Sequence, residues 1–134
     1  MPHQSTFIMV KPDGVRRGLV GEVIARFEAK GLSLERMELT VPSGEVAARH
    51  YAEHRQKSFY AGLIDFITSG PVVAMQWSGE SAVTVARTMI GSTDPVGAPP
   101  GTIRGDFGLD VQENIVHGSD SPDSAARELA IWFG

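Results

Sequence analysis

Residues 6–41 read TFIMVKPDGVRRGLVGEVIARFEAKGLSLERMELTV and place one helical pattern between two strand patterns. Residues 6–11 alternate and are rich in strand-forming side chains, which predicts a first strand that ends at Pro12-Asp13-Gly14. Residues 18–31 repeat apolar side chains at helical spacing and finish with a glycine suited to a helix end. Residues 33–41 alternate again, which indicates a strand with one wet or interfacial face. The stretch therefore predicts a β-α-β unit.

The rest of the chain adds two further strands. Ser43 is suited to cap a helix that runs to about His54, and Ser58 can cap a second helix. The remaining elements are a strand over 72–77, a helix over 81–91, a strand over 114–117, and a helix that begins at Ser121-Pro122-Asp123. Without the extra helices after the second strand, the order is β-α-β-β-α-β. The sequence thus predicts an α+β fold, a ferredoxin-like βαββαβ sandwich in which helices cover a four-stranded antiparallel sheet.

Residues 92–113 break the regular pattern. This segment contains four glycines and three prolines, and it has neither helical nor strand periodicity. Loops of this length are uncommon in compact domains and are usually functional or disordered. Because the segment contains Thr93 and Arg104 and lies between Arg87 and His117, we expect an active-site loop over about 92–113.

Length and composition limit the classes of protein to consider. The 134 residues suffice for a single domain over 1–134 with its own core, and the chain has no cysteine for disulfides or thiol chemistry. The net charge is −4, and residues 88–134 contain two arginines against seven acids. A broad basic surface for nucleic acid is therefore not expected. No signal-like or membrane-spanning segment is visible, which predicts a soluble cytoplasmic protein.

Residues 50–54, HYAEH, match the H-x-x-E-H pattern of some zinc peptidases. On a continuous helix His50 and His54 would share one face, as two zinc ligands do. Ala47 and Tyr51 lie on that face as well, and no second helix offers an obvious third ligand. Such short matches arise often by chance, so a zinc peptidase is an alternative with little support.

His117 and Glu128 each have a structural and a functional interpretation. His117 ends the last predicted strand and precedes a glycine, so it lies at the rim of the sheet, where chemistry concentrates. Glu128 falls beside the inward-facing stripe of the last helix, and a carboxylate so near the core needs a partner. It is either satisfied by a neighbouring side chain or holds the proton on one imidazole nitrogen of His117, which leaves the other nitrogen free to attack.

Four further residues are candidates for ligand binding. Lys11 fits a surface lysine as well as a binding residue, and Arg87 fits the favourable last turn of a helix. Phe59 fits the core as well as a stacking platform. Arg104 lies in the glycine-rich GTIRGDFG, where no regular element needs it, and this favours a binding role.

The motifs NIVHGSDS, FIMVKPDGVRRGLVGEV and GAPPGTIRGDF, with Tyr51 and Arg87 at the expected intervals, resemble nucleoside diphosphate kinases. The resemblance covers essentially the whole chain. It implies that His117 accepts the γ-phosphoryl group of a nucleoside triphosphate, mainly ATP, and passes it to a nucleoside diphosphate in a ping-pong cycle. Glu128 would then orient the imidazole, Ser119 would support that contact, and Tyr51 would line the phosphate path.

The same resemblance implies a nucleotide site and an assembly. The nucleotide-binding residues would be Lys11, Phe59, Arg87, Thr93, Arg104, Val111 and Asn114. Magnesium would be bound through the nucleotide phosphates and not by side chains, and stacking on the base would allow broad base specificity. The family forms hexamers or tetramers from a common dimer. A ferredoxin-like nucleic-acid-binding or regulatory module, which predicts exposed aromatics on the sheet and a basic face, is the non-enzymatic alternative.

Overall fold

The computed structural model describes residues 2–134 and contains a four-stranded sheet with the strand order β2-β3-β1-β4. All three neighbouring strand pairs are antiparallel. The strands are β1 (His3–Val10), β2 (Ser33–Thr40), β3 (Val72–Glu80) and β4 (Val116–Gly118). The short β4 pairs with the end of β1, where it places His117 opposite Met9.

Within residues 2–134, seven α-helices connect or follow these strands. They are α1 (Pro12–Arg16), α2 (Val20–Lys30), α3 (Gly44–His50), α4 (Tyr60–Ile67), α5 (Ala82–Ile90), α6 (Ile103–Phe107) and α7 (Pro122–Phe133). Because α2 joins β1 to β2 and α5 joins β3 to β4, the order and the antiparallel sheet confirm the predicted ferredoxin-like βαββαβ sandwich. None of the helices in the described part of the chain has the length and apolar character needed to cross a membrane.

The two faces of the sheet carry separate cores. Alternation along β1 sends Ile8 and Val10 to one face, where α2 and α5 pack, and Phe7 and Met9 to the other. The second face is covered by α3, α4 and α7, which include the helices added after β2. Since helices cover both faces, the open aromatic sheet surface expected of a ferredoxin-like nucleic-acid module is not available.

The sheet edge at β2 remains open. Met37, Leu39 and Val41 are 56%, 67% and 58% exposed, and Arg36 and Glu38 on the opposite face are exposed as well. The prediction of only one wet or interfacial face was therefore wrong, because both faces are exposed at this edge. An edge strand with exposed apolar side chains offers both unpaired backbone groups and apolar area to another chain.

Several predicted boundaries were wrong. The first strand ends at Val10, and Pro12 begins the short helix α1 instead of a turn, because proline suits the first helical position. The helix that begins after Ser43 ends at His50, and a separate 3-10 turn spans Ala52–His54. Ser58 does not cap α4, whose N-cap position is Phe59.

Two further elements near the site differ from their predicted form. The last strand was predicted over 114–117 but spans Val116–Gly118, because Ile115 has a positive φ of 78° that a strand does not allow. The loop over 92–113 contains a 3-10 turn at Pro95–Gly97 and helix α6, which Thr102 caps by accepting a hydrogen bond from Gly105 N. The third strand continues beyond its predicted end at residue 77 to Glu80, whereas β2, α2, α5 and α7 occur where the sequence places them.

We expect Phe27→Ala to lower the free energy of unfolding by about 3–5 kcal/mol, because it removes a fully buried ring that packs on Trp77 with ring centroids 5.5 Å apart. Urea denaturation followed by fluorescence measures the change. Leu109→Ala is the control, since Leu109 is 86% exposed and its loss is expected to cost less than about 0.5 kcal/mol. Equal losses in the two variants would contradict the assignment of this core.

Candidate active site

A cavity of about 550 Å³ lies between the ends of β1 and β4, the segment after α3, and residues 92–113. Nine of the residues selected from the sequence line it: Lys11, Tyr51, Phe59, Arg87, Thr93, Arg104, Val111, Asn114 and His117. The other two, Ser119 and Glu128, are buried and form hydrogen bonds to each other beside His117. The structure thus brings all eleven residues together.

The imidazole of His117 is held by one carboxylate. Nε2 of His117 lies 2.9 Å from Oε1 of Glu128, and the same oxygen accepts a 2.6 Å hydrogen bond from Ser119 Oγ. Burial raises the pKa of Glu128, but the hydrogen bond and charge of His117, with His50 and Ser119, outweigh it and hold the pKa below its usual value. Because an ionised carboxylate only accepts, this contact selects the tautomer of the neutral ring that has its proton on Nε2 and a lone pair on Nδ1.

Helix α7 delivers Glu128 to this position. Ser121 caps the helix by accepting a hydrogen bond from Ser124 N, and Pro122 occupies its first turn. Ala125 and Glu128 are its two buried residues, so the carboxylate enters the protein along the apolar face of α7, as its helical position predicts. Arg127 approaches the second carboxylate oxygen from the surface at 3.6 Å.

His50 packs directly against the His117 ring. The two ring centroids are 4.7 Å apart in an edge-to-face arrangement, and Trp132 Nε1 donates a 3.1 Å hydrogen bond to His50 Nδ1. Burial lowers the pKa of His50 to about 3, with a further contribution from the charge of His117. His50 is therefore a neutral ring that supports His117 at neutral pH.

The HYAEH motif does not form a zinc-peptidase arrangement. Because α3 ends at His50, His54 is not one turn further along the same helix; it lines the cavity near Phe59 instead. In the described part of the chain, the group of side chains close enough to share a metal ion is His50, His117 and Glu128, without His54. His50 is hydrogen-bonded to Trp132, and His117 is hydrogen-bonded to Glu128. These hydrogen bonds orient the two imidazole rings.

Two arginines supply positive charge to the cavity. Arg104 is buried and donates to the backbone carbonyls of Gly91, Asn114 and Val116 at 3.2, 3.3 and 2.7 Å. Burial and the charge of Arg87 lower the pKa of Arg104 to about 10, so it remains a cation at neutral pH. Its guanidinium retains N–H groups beyond these three bonds, and such groups suit phosphate oxygens.

Lys11 and Asn114 form a second pair in the cavity. Lys11 Nζ donates a 2.8 Å hydrogen bond to Asn114 Oδ1, and Asn114 Nδ2 donates to the carbonyls of Thr93 and Val111. Burial and the charge of Arg104 lower the pKa of Lys11 to about 7, against the opposite effect of Asp13. The ammonium is therefore poised to gain stability from any anion that enters the cavity.

The mouth and the floor of the cavity differ in character. Phe59 and Val111 are 51% and 58% exposed and present apolar surface at its opening, which suits a flat apolar ligand group. Tyr51 is buried deeper, and burial, with the charge of Glu128, raises its pKa to about 12. Its hydroxyl stays protonated at neutral pH and can donate a hydrogen bond.

Sequence reasoning missed several residues of the site. His54, Leu63 and Gln112 also line the cavity, and the ring contact of His50 with His117 was not expected. The spacing of HYAEH drew attention to both histidines only through the zinc-peptidase alternative, which had little support and which the structure contradicts. Leu63 and Gln112 carry no pattern that distinguishes them from other residues of a helix and a loop.

The donors around the cavity are cations, hydroxyls, imidazoles and amides. Among the described residues that line it, none is an aspartate or glutamate. A hard divalent cation prefers oxygen ligands, so it fits here through the oxygens of a bound anion and water and not through carboxylates.

The family model and the relatives that match this chain carry the same description. The model of a family described as nucleoside diphosphate kinase matches residues 4–134. A nucleoside diphosphate kinase from Exiguobacterium sp. is 62% identical, over 97% of this chain and 94% of that protein. A cytosolic nucleoside diphosphate kinase from Dictyostelium discoideum is 58% identical, over 97% of this chain and 84% of that protein.

Solved structures agree in fold. A nucleoside diphosphate kinase family protein from Babesia bovis has a TM-score of 0.95 and 52% identity, over 97% of this chain and 88% of that chain. A halophilic nucleoside diphosphate kinase from Halobacterium salinarum in complex with CDP has a TM-score of 0.96 and 48% identity, over 98% of this chain and 88% of that chain.

The lowered pKa of Lys11 generates a prediction about stability. Between pH 7 and pH 10.5 the unfolded chain keeps a proton on Lys11 that the folded chain has lost, so the free energy of unfolding rises with pH. Relative to Lys11→Met, we expect the natural chain to gain on the order of 1 kcal/mol for each pH unit in this range. Urea denaturation at a series of pH values measures the gain, and parallel profiles would refute the assignment.

Proposed function

This chain belongs to the nucleoside diphosphate kinase family, and on that premise we propose how its residues transfer the γ-phosphate of a nucleoside triphosphate, mainly ATP, to nucleoside diphosphates. The observation that carries the proposal is the hydrogen bond of His117 Nε2 to Glu128 beside a cavity lined by cations. It leaves Nδ1 as the nucleophile of a ping-pong reaction through a phosphohistidine.

In the first half-reaction, Nδ1 of His117 attacks the γ-phosphorus and a nitrogen–phosphorus bond forms. The bond between that phosphorus and the bridging oxygen breaks, and the nucleoside diphosphate leaves with the electron pair. Positive charge develops on the imidazole, and the carboxylate of Glu128 stabilises it through the Nε2 proton. In the second half-reaction, a terminal oxygen of another nucleoside diphosphate attacks the same phosphorus and restores the free histidine.

The arginines compensate the phosphate charge. Arg87, Thr93 and Arg104 bind the phosphates in this proposal, because phosphoryl transfer asks the protein mainly for positioning and charge stabilisation. Tyr51 lines the phosphate path, and its protonated hydroxyl donates a hydrogen bond to the phosphates. Magnesium, when bound to the phosphate oxygens, neutralises part of their charge, and the absence of carboxylates from the cavity lining fits this mode of binding.

The sugar and base have separate contacts. Lys11 and Asn114 hydrogen-bond the sugar hydroxyls, and Phe59 and Val111 hold the base between them. Base stacking on an aromatic ring contributes roughly 1–3 kcal/mol and tolerates any base. This predicts broad specificity for purine and pyrimidine, ribo and deoxy substrates. Such an enzyme would maintain the pools of nucleoside triphosphates.

We further propose that the chain acts as one domain in a cytoplasmic homo-oligomer, a hexamer or tetramer built from a common dimer. The cytosolic Dictyostelium relative supports the location. The exposed apolar side chains of β2 support the assembly, since an open edge strand favours pairing with a second copy.

The proposed chemistry predicts an isolable intermediate. We expect incubation with γ-labelled ATP and Mg²⁺ to label the chain in an acid-labile, base-stable form that any added nucleoside diphosphate removes. His117→Gln should abolish both label and transfer, because the amide supplies no nucleophilic nitrogen. His3→Gln, at an exposed histidine outside the cavity, is the matched control. Label that survives in His117→Gln would disprove the proposal.

The proposed assembly predicts a change in particle size. We expect Leu39→Lys to yield a smaller species in size-exclusion chromatography with light scattering. The proposed interface would bury the new ammonium group on β2 without a partner, and this cost opposes assembly. Leu109→Lys, at another exposed leucine, should leave the mass unchanged. An unchanged mass for both variants would exclude β2 from the interface.

A further inference from the structure

The chain makes an unusual turn at Ile115, directly between Asn114 and β4. Ile115 is fully buried and β-branched, yet its φ is 78°. Val116 N donates a 2.9 Å hydrogen bond to Asn114 O across it, the pattern of a tight γ-turn. Such a conformation costs about 1–3 kcal/mol and persists only where the surroundings enforce it. The turn sets the relation between the sugar contact and the nucleophile.

Residues at the start of α1 enforce this turn. Asp13 Oδ2 accepts a 3.0 Å hydrogen bond from Ile115 N, and Lys11 N donates a 2.8 Å bond to Ile115 O. Gly14 lies so close that a Cβ there would be 2.9 Å from Ile115 O. Both polar backbone groups of Ile115 are thus bound by a segment about a hundred residues away in the sequence.

The carboxylate of Asp13 is also a buried charge. Asp13 is 3% exposed, and its Oδ1 has no hydrogen-bond partner within the described residues. A buried carboxylate is costly unless other charges compensate it. Here Lys11 and Arg104 compensate the charge of Asp13. Burial lowers the pKa of both cations, and the charge of Asp13 raises it.

We propose that Asp13 is a positioning residue for phosphoryl transfer: its carboxylate holds the Ile115 turn that aligns Asn114 with His117, and its negative charge supports the ammonium of Lys11. The inference rests on the proposed function. The charged or titratable groups that act on Lys11 besides Asp13 are Arg104 in α6 and His50 in α3, and His117 of β4 shares its cavity.

Asp13→Asn tests the charge. The amide oxygen still accepts from Ile115 N, but the negative charge is lost, so the pKa of Lys11 falls further. We expect KM for nucleoside diphosphate to rise relative to the natural chain at pH 8, by up to about tenfold for each unit of that fall, and the ratio to approach one only as pH falls below the lowered pKa. A role in folding alone would give a ratio independent of pH.

Asp13→Glu tests the geometry and remains informative if Asp13→Asn does not fold. The charge is kept, but the longer side chain displaces the Ile115 turn. We expect kcat to fall at least several-fold while the pH dependence of KM stays that of the natural chain. Asp65→Asn, at an exposed acid of α4, is the matched control for both variants.

The possible results separate the two proposals. If the natural chain forms no phosphohistidine, the proposed function fails. If the natural chain forms it, then a natural kcat in Asp13→Glu, or a pH-independent KM ratio in Asp13→Asn, overturns the positioning role of Asp13. A pH-dependent KM ratio with reduced kcat in Asp13→Glu supports it.

Discussion

One carboxylate oxygen, Oε1 of Glu128, accepts hydrogen bonds from both His117 and Ser119. This contact fixes the tautomer of the imidazole and so decides which ring nitrogen can act as a nucleophile. It also constrains the fold, since α7 must pack against the sheet with Glu128 on its buried face. On the face of the sheet covered by α3, α4 and α7, the neutral ring of His50 packs against His117 and adds no charge. Trp132 holds His50 in place through a hydrogen bond.

The site concentrates charge that a stable protein would otherwise keep in water. Lys11, Asp13, Arg104 and Glu128 are all buried within one region, and burial lowers the pKa of both cations. The network of Asp13, Asn114 and backbone carbonyls offsets part of this cost in the free chain. In the proposed function a bound polyphosphate adds negative charge beside these cations, so its binding offsets part of the cost of burying them. Stability and affinity for anions are therefore linked through the same side chains.

Much of this molecule could be predicted from its sequence because the signals are local. Alternation along β1 separates Ile8 and Val10 from Phe7 and Met9, and helical spacing places Glu128 beside the buried stripe of α7. These periodicities predicted the βαββαβ order and the antiparallel sheet. The motifs around His117 and Arg104 carried the resemblance to the kinase family, and that resemblance, more than composition, selected the residues that line the cavity.

What remained hidden depends on contacts between distant parts of the chain. No local pattern reveals that Ile115 adopts a positive φ, because the conformation is imposed by Asp13 and Lys11, which are about a hundred residues away. The same holds for His50. Its short motif offered zinc binding as an alternative, whereas in the structure α3 ends at this residue and its ring contacts Trp132 and His117. Periodicity records which side of an element is apolar, whereas hydrogen bonds and charges in a buried site are decided only when the elements pack together.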